Sequence, residues 1–370
     1  MPPADPSRER GGTSVSRIAA VRTVLPVHCY PQSQITEAFV DMCVGSAERE
    51  PLLRRLHGNS AVGTRHLALP IERYAGLGDF GASNDAYIEA AVALGARAVL
   101  EALDEAGLDP WDVDTVVSTT VTGFAVPSLE ARIASVIGLR PDVRRVPLMG
   151  LGCLGGAAGI ARTADLLLGR PRDVAVLLSV ELCSLTLQRR DTSTAAFVAS
   201  GLFGDGAAAV VMVGDEHRLS AGTGASGPAV VAARGHLYPD SERAMGWDIG
   251  ADGLKIVLDA RVPDIVEQYL GEDVRAFLAD SDLKPEDVSG WVCHPGGPRV
   301  IEAIQRVLAL PYEAVAHTWR SLAEVGNLSS ASVLDVLGRT VREGSLPAGS
   351  PVVLMAMGPG FCSELVLLRW

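Results

Sequence analysis

No apolar run in the sequence approaches the roughly 18–20 residues that a membrane span requires, which excludes a helical membrane protein. Excess positive charge is missing too. With a formal net charge of -12, the surface repels phosphate backbones, so nucleic acid is excluded as a partner. No C-x-x-C pair occurs among the six cysteines, Cys29, Cys43, Cys153, Cys183, Cys293 and Cys362. That argues against a zinc site and against a disulfide framework, and reduced thiols in a cytoplasmic protein are expected. A G-x-G-x-x-G turn opening a first βαβ unit is absent, so no dinucleotide cofactor is expected. Aromatic residues are few, at 5%. Residues 1–14 are rich in proline and charge and lack an apolar stretch, so they read as a flexible tail and not a signal peptide.

What is present is a well-buried globular chain of 370 residues, 48% of them hydrophobic. Helical and strand patterns alternate. Helical spacing covers 82–107, 155–169, 262–282 and 329–344, and β-branched or apolar strand runs cover 113–121, 173–181, 206–214, 288–294, 351–357 and 363–370. Alternation with continuous apolar strands predicts an α/β fold whose sheets are covered on both faces. One internal match stands out: LDPWDVDTVV (108–117) and LKPEDVSGWV (283–292) align without a gap, 175 residues apart. In each half a small-residue turn then opens a helix, CLGGAAG from Cys153 and NLSSAS from Asn327, and an apolar strand follows. The chain therefore reads as two duplicated α/β halves, 15–215 and 216–370, packed so that equivalent turns face one another. His294, at the end of a strand in the second half, has Thr119 as its counterpart in the first.

Three polar residues stand at element boundaries: Cys153 before a helix, His294 after the strand GWVCH, and Asn327 in GNLSS. A thiol, an imidazole and an amide form a workable nucleophile set. A helix N-terminus favours thiolate over thiol, glycines leave room for an acyl group, and Asn327 with His294 can hold an oxyanion. Taken singly, each residue has a plainer reading as core cysteine, boundary histidine or helix cap. The duplicated framework that brings them together favours the functional one.

At these residues the sequence resembles the type III polyketide synthases, the chalcone synthase-like branch of the thiolase fold. LGCLGG, GLFGDGAAA (201–209), CHPGGP (293–298), GNLSSAS (326–332) and MGPG (357–360) carry the resemblance, in order, over nearly the whole chain. It implies a thiolase-like αβαβα architecture, an N-terminal half with the nucleophilic cysteine and a C-terminal half with the histidine and asparagine. By that resemblance Cys153, His294 and Asn327 are catalytic, and Phe203 guides malonyl units. Ile256 falls where the family has a second gatekeeping phenylalanine, and Thr122, Val126, Cys183, Thr186, Ser329 and Gly358 fall on cavity positions. Arg55 keeps one basic position for coenzyme A phosphates, Leu52 and Asn59 lose the others, and Arg54 or Arg65 could compensate. The implied reaction is iterative decarboxylative condensation of malonyl-CoA, or methylmalonyl-CoA, onto an acyl-CoA, with no metal and no other cofactor. A homodimer paired near Val126 is implied as well.

The aliphatic Ile256, the low aromatic content and the C-terminal stretch resemble bacterial alkylpyrone and alkylresorcinol synthases, so a medium or long fatty acyl starter is expected. A tetrahydroxynaphthalene synthase using malonyl-CoA alone is the nearest alternative. A ketoacyl-ACP synthase III would share Cys, His and Asn but condense once. A papain-like protease would require C-G-S-C-W and disulfides, and an inactive interaction partner on this fold would have lost part of the triad.

Overall fold

The computed structural model describes residues 15–43, 48–220 and 227–370. In the first half the chain forms β1 (Arg17–Val24), β2 (His28–Pro31), α1 (Gln32–Cys43), α2 (Glu50–Gly58), β3 (Thr64–Leu67), α3 (Phe80–Ala106), β4 (Thr115–Thr119), α4 (Leu129–Ile137), β5 (Arg144–Leu148), α5 (Gly155–Leu168), β6 (Val174–Leu182), α6 (Thr194–Leu202) and β7 (Asp205–Val213). In the second it forms β8 (Ala229–Leu237), β9 (Met245–Gly250), β10 (Gly253–Leu258), α7 (Val262–Ala279), β11 (Gly290–Cys293), α8 (Pro298–Leu308), α9 (Ala316–Val325), α10 (Ser330–Glu343), β12 (Pro351–Gly358) and β13 (Cys362–Arg369).

Nine strands join in the order β11-β12-β13-β8-β1-β7-β6-β4-β5. β4 runs parallel to β5 and β6, β11 runs parallel to β12, and β6–β7 and β12–β13 are antiparallel. The halves meet where Arg17 of β1 pairs with Ala229 of β8. Side chains alternate across each strand, as the two-residue period requires. Val176, Leu178 and Val180 of β6 point to the layer of α3, while Ala175 and Leu177 point to α5 and α10. On β12, Val352 and Leu354 face that same central helical layer, and Val353 and Met355 face the layer of α7 and α8. The result is five layers, helix–sheet–helix–sheet–helix, with α5 and α10 enclosed between the two half-sheets.

The duplication is visible in the elements. Single helical turns at Pro110–Asp112 and Pro285–Asp287 precede β4 and β11, and in each the aspartate side chain accepts from the backbone N–H three residues back. β4 and β11 begin at 115 and 290, and α5 and α10 at 155 and 330, the same spacing as the sequence match. The central helices approach closely because small residues face each other: a Cβ at Gly156 would lie 2.2 Å from the Ser330 carbonyl oxygen. β5 has no counterpart among the described residues of the second half.

Candidate active site

Cys153 sits in a helical turn, Gly152–Leu154, that runs directly into α5. Two glycines make that position possible. Gly152 adopts φ +52°, and a Cβ there would lie 2.5 Å from Pro359 Cδ. Gly358, at the end of β12, brings its backbone against the turn, since a Cβ there would lie 2.7 Å from both the Leu151 carbonyl oxygen and the Leu154 nitrogen. Gly358, expected at a cavity position, packs its backbone against the cysteine turn and supports it.

Asn327 lies outside α10, which starts at Ser330 and follows Ser329, so it is not the helix cap that its position at the head of NLSSAS suggested. Its backbone is pinned by an exchange with the opposite segment: Asn327 N–H donates to the Leu202 carbonyl and Gly204 N–H donates to the Asn327 carbonyl, both at 2.9 Å. Its Oδ1 accepts from Ser329 N–H at 2.8 Å and from the Ser332 hydroxyl at 3.4 Å. With the oxygen so engaged, the amide N–H2 is the end left to donate, and Asn327 works against the rise that burial imposes on the Cys153 pKa. Ser329 carries φ +50°, a strained conformation for a side-chain-bearing residue, and its hydroxyl lies 3.7 Å from Cys153 Sγ.

His294 follows β11, whose Cys293 is in register with Met355 of β12, and its N–H donates to the Met355 carbonyl at 2.9 Å. β12 thus links the imidazole segment to the cysteine turn through Gly358. Cys153, His294 and Asn327 are 5%, 3% and 1% exposed. Neither His294 ring nitrogen has a hydrogen-bond partner among the described residues, and burial pulls its pKa down to about 3. Burial pushes the Cys153 thiol up to about 12, with Ser329 and Asn327 acting against the rise and the buried Glu181 adding to it. Burial therefore favours the neutral form of each group, against the thiolate expected from the helix N-terminus.

A cavity of about 90 Å³ adjoins Ser329, and its wall includes Thr122, Cys183, Thr186, Phe203 and Ile256. Val126 does not line it: it is 95% exposed, on a separate surface hollow with Phe124 and Ala125. A second hollow of about 430 Å³, open to solvent, shares Met42, Thr122, Thr186, Leu187, Gln188 and Leu254 with the first and is lined by further polar groups including Asp79, Asn84, Arg189 and Asp252. Ile256 faces Trp247 across the β9–β10 ribbon, so an indole that the sequence reading missed stands beside the small gate residue. Arg54 is engaged by Glu37 and Glu50, and Arg55 is exposed. Arg65 is 2% exposed and belongs to the cavity wall, not to a phosphate-binding surface.

Glu181 was also missed. It is fully buried on β6 and accepts from Val121 N–H at 3.1 Å, from the Thr122 hydroxyl at 2.9 Å, and from the Ser330 hydroxyl. Burial raises its pKa. Its signal was the carboxylate that ends the apolar run VAVLLSVE (174–181).

Sequence profiles described as chalcone and stilbene synthases, N-terminal and C-terminal domains, match residues 5–216 and 229–370. The chain belongs to the chalcone and stilbene synthase family. A 1,3,6,8-tetrahydroxynaphthalene synthase of Streptomyces peucetius subsp. caesius is 56% identical over 97% of this chain and 93% of its own length. The solved 1,3,6,8-tetrahydroxynaphthalene synthase of Streptomyces coelicolor A3(2), a bacterial type III polyketide synthase, superimposes with a TM-score of 0.89 at 30% identity, covering 96% of this chain and 99% of that one. PKS-I from the brown alga Ectocarpus siliculosus superimposes with a TM-score of 0.90 at 26% identity over 98% and 100% of the two chains. The protein is thus a type III polyketide synthase, an acyltransferase with the thiolase-like architecture. No described helix is long and apolar enough to cross a membrane.

Proposed function

We propose that this type III polyketide synthase builds a tetrahydroxynaphthalene-type product from malonyl-CoA alone, with Cys153, His294 and Asn327 as its catalytic residues. The observation that carries the reading is the polar hollow that borders the small cavity and shares Thr122, Thr186 and Gln188 with it. A fatty chain requires an apolar tunnel, whereas a poly-β-ketone carries an oxygen on alternate carbons and suits a wall with polar groups. The 56% identity with the Streptomyces peucetius enzyme points the same way. A naphthalene skeleton assembles from two-carbon units, so no fatty starter is needed.

Loading begins with attack of Cys153 Sγ on the thioester carbonyl. The thiol proton passes to His294, and coenzyme A leaves as its thiol. In the dry pocket the thiolate and imidazolium attract strongly, which offsets the desolvation that favours the neutral form of each. A second malonyl-CoA then loses carbon dioxide, and the electron pair of the broken bond becomes an enolate. His294 and the Asn327 amide donate to its oxygen, a charge that develops only in the transition state. The enolate carbon attacks the Cys153 thioester, the C–S bond breaks, and the extended chain reloads onto the thiol. No metal or redox cofactor has a part in these steps.

The fatty acyl reading rests on Ile256 and on the apolar wall of Ile35, Phe39, Met42 and Leu254. Carbon-labelled malonyl-CoA supplied alone and with C2 to C16 acyl-CoA starters, read by mass spectrometry, tests the two. Naphthalene product from malonyl-CoA alone supports the proposal. Product that appears only with long acyl starters, and that shifts to shorter ones in Ile256→Phe, replaces it by the alkylpyrone reading.

The active form is proposed to be a homodimer in the cytoplasm. Val126 and Met149, both exposed, offer apolar surface for the second copy. A monomer mass by light scattering would refute the dimer.

A further inference from the structure

Arg65 projects from β3 into the interior. Its Nε–H donates to Gln32 Oε1 at 3.0 Å and its Nη1–H to the Phe203 carbonyl oxygen at 2.7 Å. Gln32 is held in turn by donating Nε2–H to the Gly201 carbonyl at 2.9 Å. Both acceptors of the guanidinium are neutral. The neighbouring carboxylate, Asp205, commits its oxygens elsewhere: to Ala68 N–H at 2.7 Å, Ser184 N–H at 2.8 Å and the Ser184 hydroxyl. The second terminal nitrogen, Nη2, has no hydrogen-bond partner among the described residues. Arg65 forms part of the cavity wall together with Phe203, Cys183 and Ser184. Burial lowers its pKa to about 10, which leaves it charged at neutral pH.

The Asp205 carboxylate offsets part of the buried charge from nearby, but the guanidinium hydrogen-bonds only neutral oxygens and its Nη2 is left without a partner among the described residues, which is costly unless an anion completes it. Its planar fork suits a delocalised oxyanion. We propose that Arg65 is an anion subsite of the acyl cavity, in which Nη2 holds the negatively charged oxygen of the bound acyl group: a malonyl carboxylate or the enolate of a β-dicarbonyl unit. The assignment rests on the synthase reading above. It gives the cavity a preference for oxygen-rich, ionisable chains over saturated ones, and it fixes one oxygen of the chain near Phe203 while the thioester end faces Cys153.

Binding to the Cys153→Ala protein, measured by calorimetry, separates this role from a structural one. Three probes are used: malonyl-CoA, acetoacetyl-CoA at alkaline pH where it is enolised, and acetyl-CoA, which carries no acyl anion. Malonyl-CoA, enolised acetoacetyl-CoA or both are expected to bind at least about tenfold more tightly than acetyl-CoA, and whichever does so identifies the source of the anion. Adding Arg65→Met abolishes that preference and leaves acetyl-CoA binding unchanged, while Arg65→Lys, which keeps the charge but not the fork, retains part of it. Equal weakening of all three probes, or a preference that survives Arg65→Met, overturns the subsite. If Arg65→Met fails to fold, Arg65→Lys decides: a preference unchanged from the Arg65 protein overturns the fork. Failure of all three thioesters to bind the Cys153→Ala protein overturns the synthase reading itself, and this proposal with it.

Discussion

Cys153 has neighbours that pull its proton in opposite directions. The Cys153 thiol donates to the Ser329 hydroxyl at 3.7 Å, and Ser329 and Asn327 work against the rise that burial imposes on its pKa, while the buried Glu181 carboxylate adds to it. Two substitutions should therefore move the thiol in opposite senses. Ser329→Ala raises its pKa further, and Glu181→Gln lowers it. The pH dependence of alkylation at Cys153 by iodoacetamide, followed by mass spectrometry, reads both shifts; movement in the same direction would contradict this assignment of neighbours. The Asn327 donor can be removed without disturbing its turn. Asn327→Asp keeps the oxygen that accepts from Ser329 and Ser332 but loses the N–H2 group. Malonyl-CoA decarboxylation is expected to fall by about 10²–10³-fold, the usual cost of one oxyanion donor. Cys153→Ala should abolish the covalent acyl adduct on the intact protein and reduce product by at least about 10³-fold.

At the level of elements, the turn that carries Cys153 is held by contact between α5 and α10, and that contact depends on missing side chains. A Cβ at Gly156 would meet the Ser330 carbonyl at 2.2 Å and Val333 Cγ1 at 2.7 Å. Backbone cannot swing aside as a side-chain tip can, so Gly156→Ala must separate the helices. A loss of about 2–3 kcal/mol is expected from overpacking, measured as a shift in denaturant midpoint, with a fall in acyl loading because the Cys153 turn moves with α5. The elements themselves were largely legible. The small-residue turns, the apolar strands and the 175-residue repeat located α5, α10, β6 and β12 to within a residue or two. Partners across elements were not legible. A glutamate in a strand reads as solvent-facing until Val121, Thr122 and Ser330, from three separate segments, are seen to surround it. Ile256 read as an open gate because nothing in the sequence pairs β10 with the strand that bears Trp247. Val126 read as a lining residue, yet in a single chain its side chain meets solvent.

Across the whole molecule, burial of ionisable groups links the site to global stability. His57 lies between the Thr36 and Ser200 hydroxyls, each 3.0 Å from a ring nitrogen. Thr36 gives its own proton to the Gln32 carbonyl at 2.8 Å, so it accepts from Nδ1–H, and a neutral ring requires the Ser200 hydroxyl, also 3.0 Å from the Phe197 carbonyl, to donate to Nε2. Burial, with the Arg65 charge adding to it, lowers the pKa of His57 from 6.5 to about 3. A histidine whose folded pKa is depressed takes up its proton in the unfolded chain first. Its neutral form thus contributes fully above pH 6.5, and the contribution drains away as pH falls toward about 3. Asp205, raised from 3.8 to about 6 by burial, works the other way, since its protonation relieves a penalty as pH falls across that interval. Total stability mixes such terms, and a variant isolates one. The stability difference between the protein and His57→Gln is expected to shrink by up to about 4 kcal/mol between pH 7 and pH 3.5. Urea unfolding midpoints across that range measure it, and a difference independent of pH would mean that His57 is protonated in the folded chain, with Ser200 accepting from it rather than donating to it.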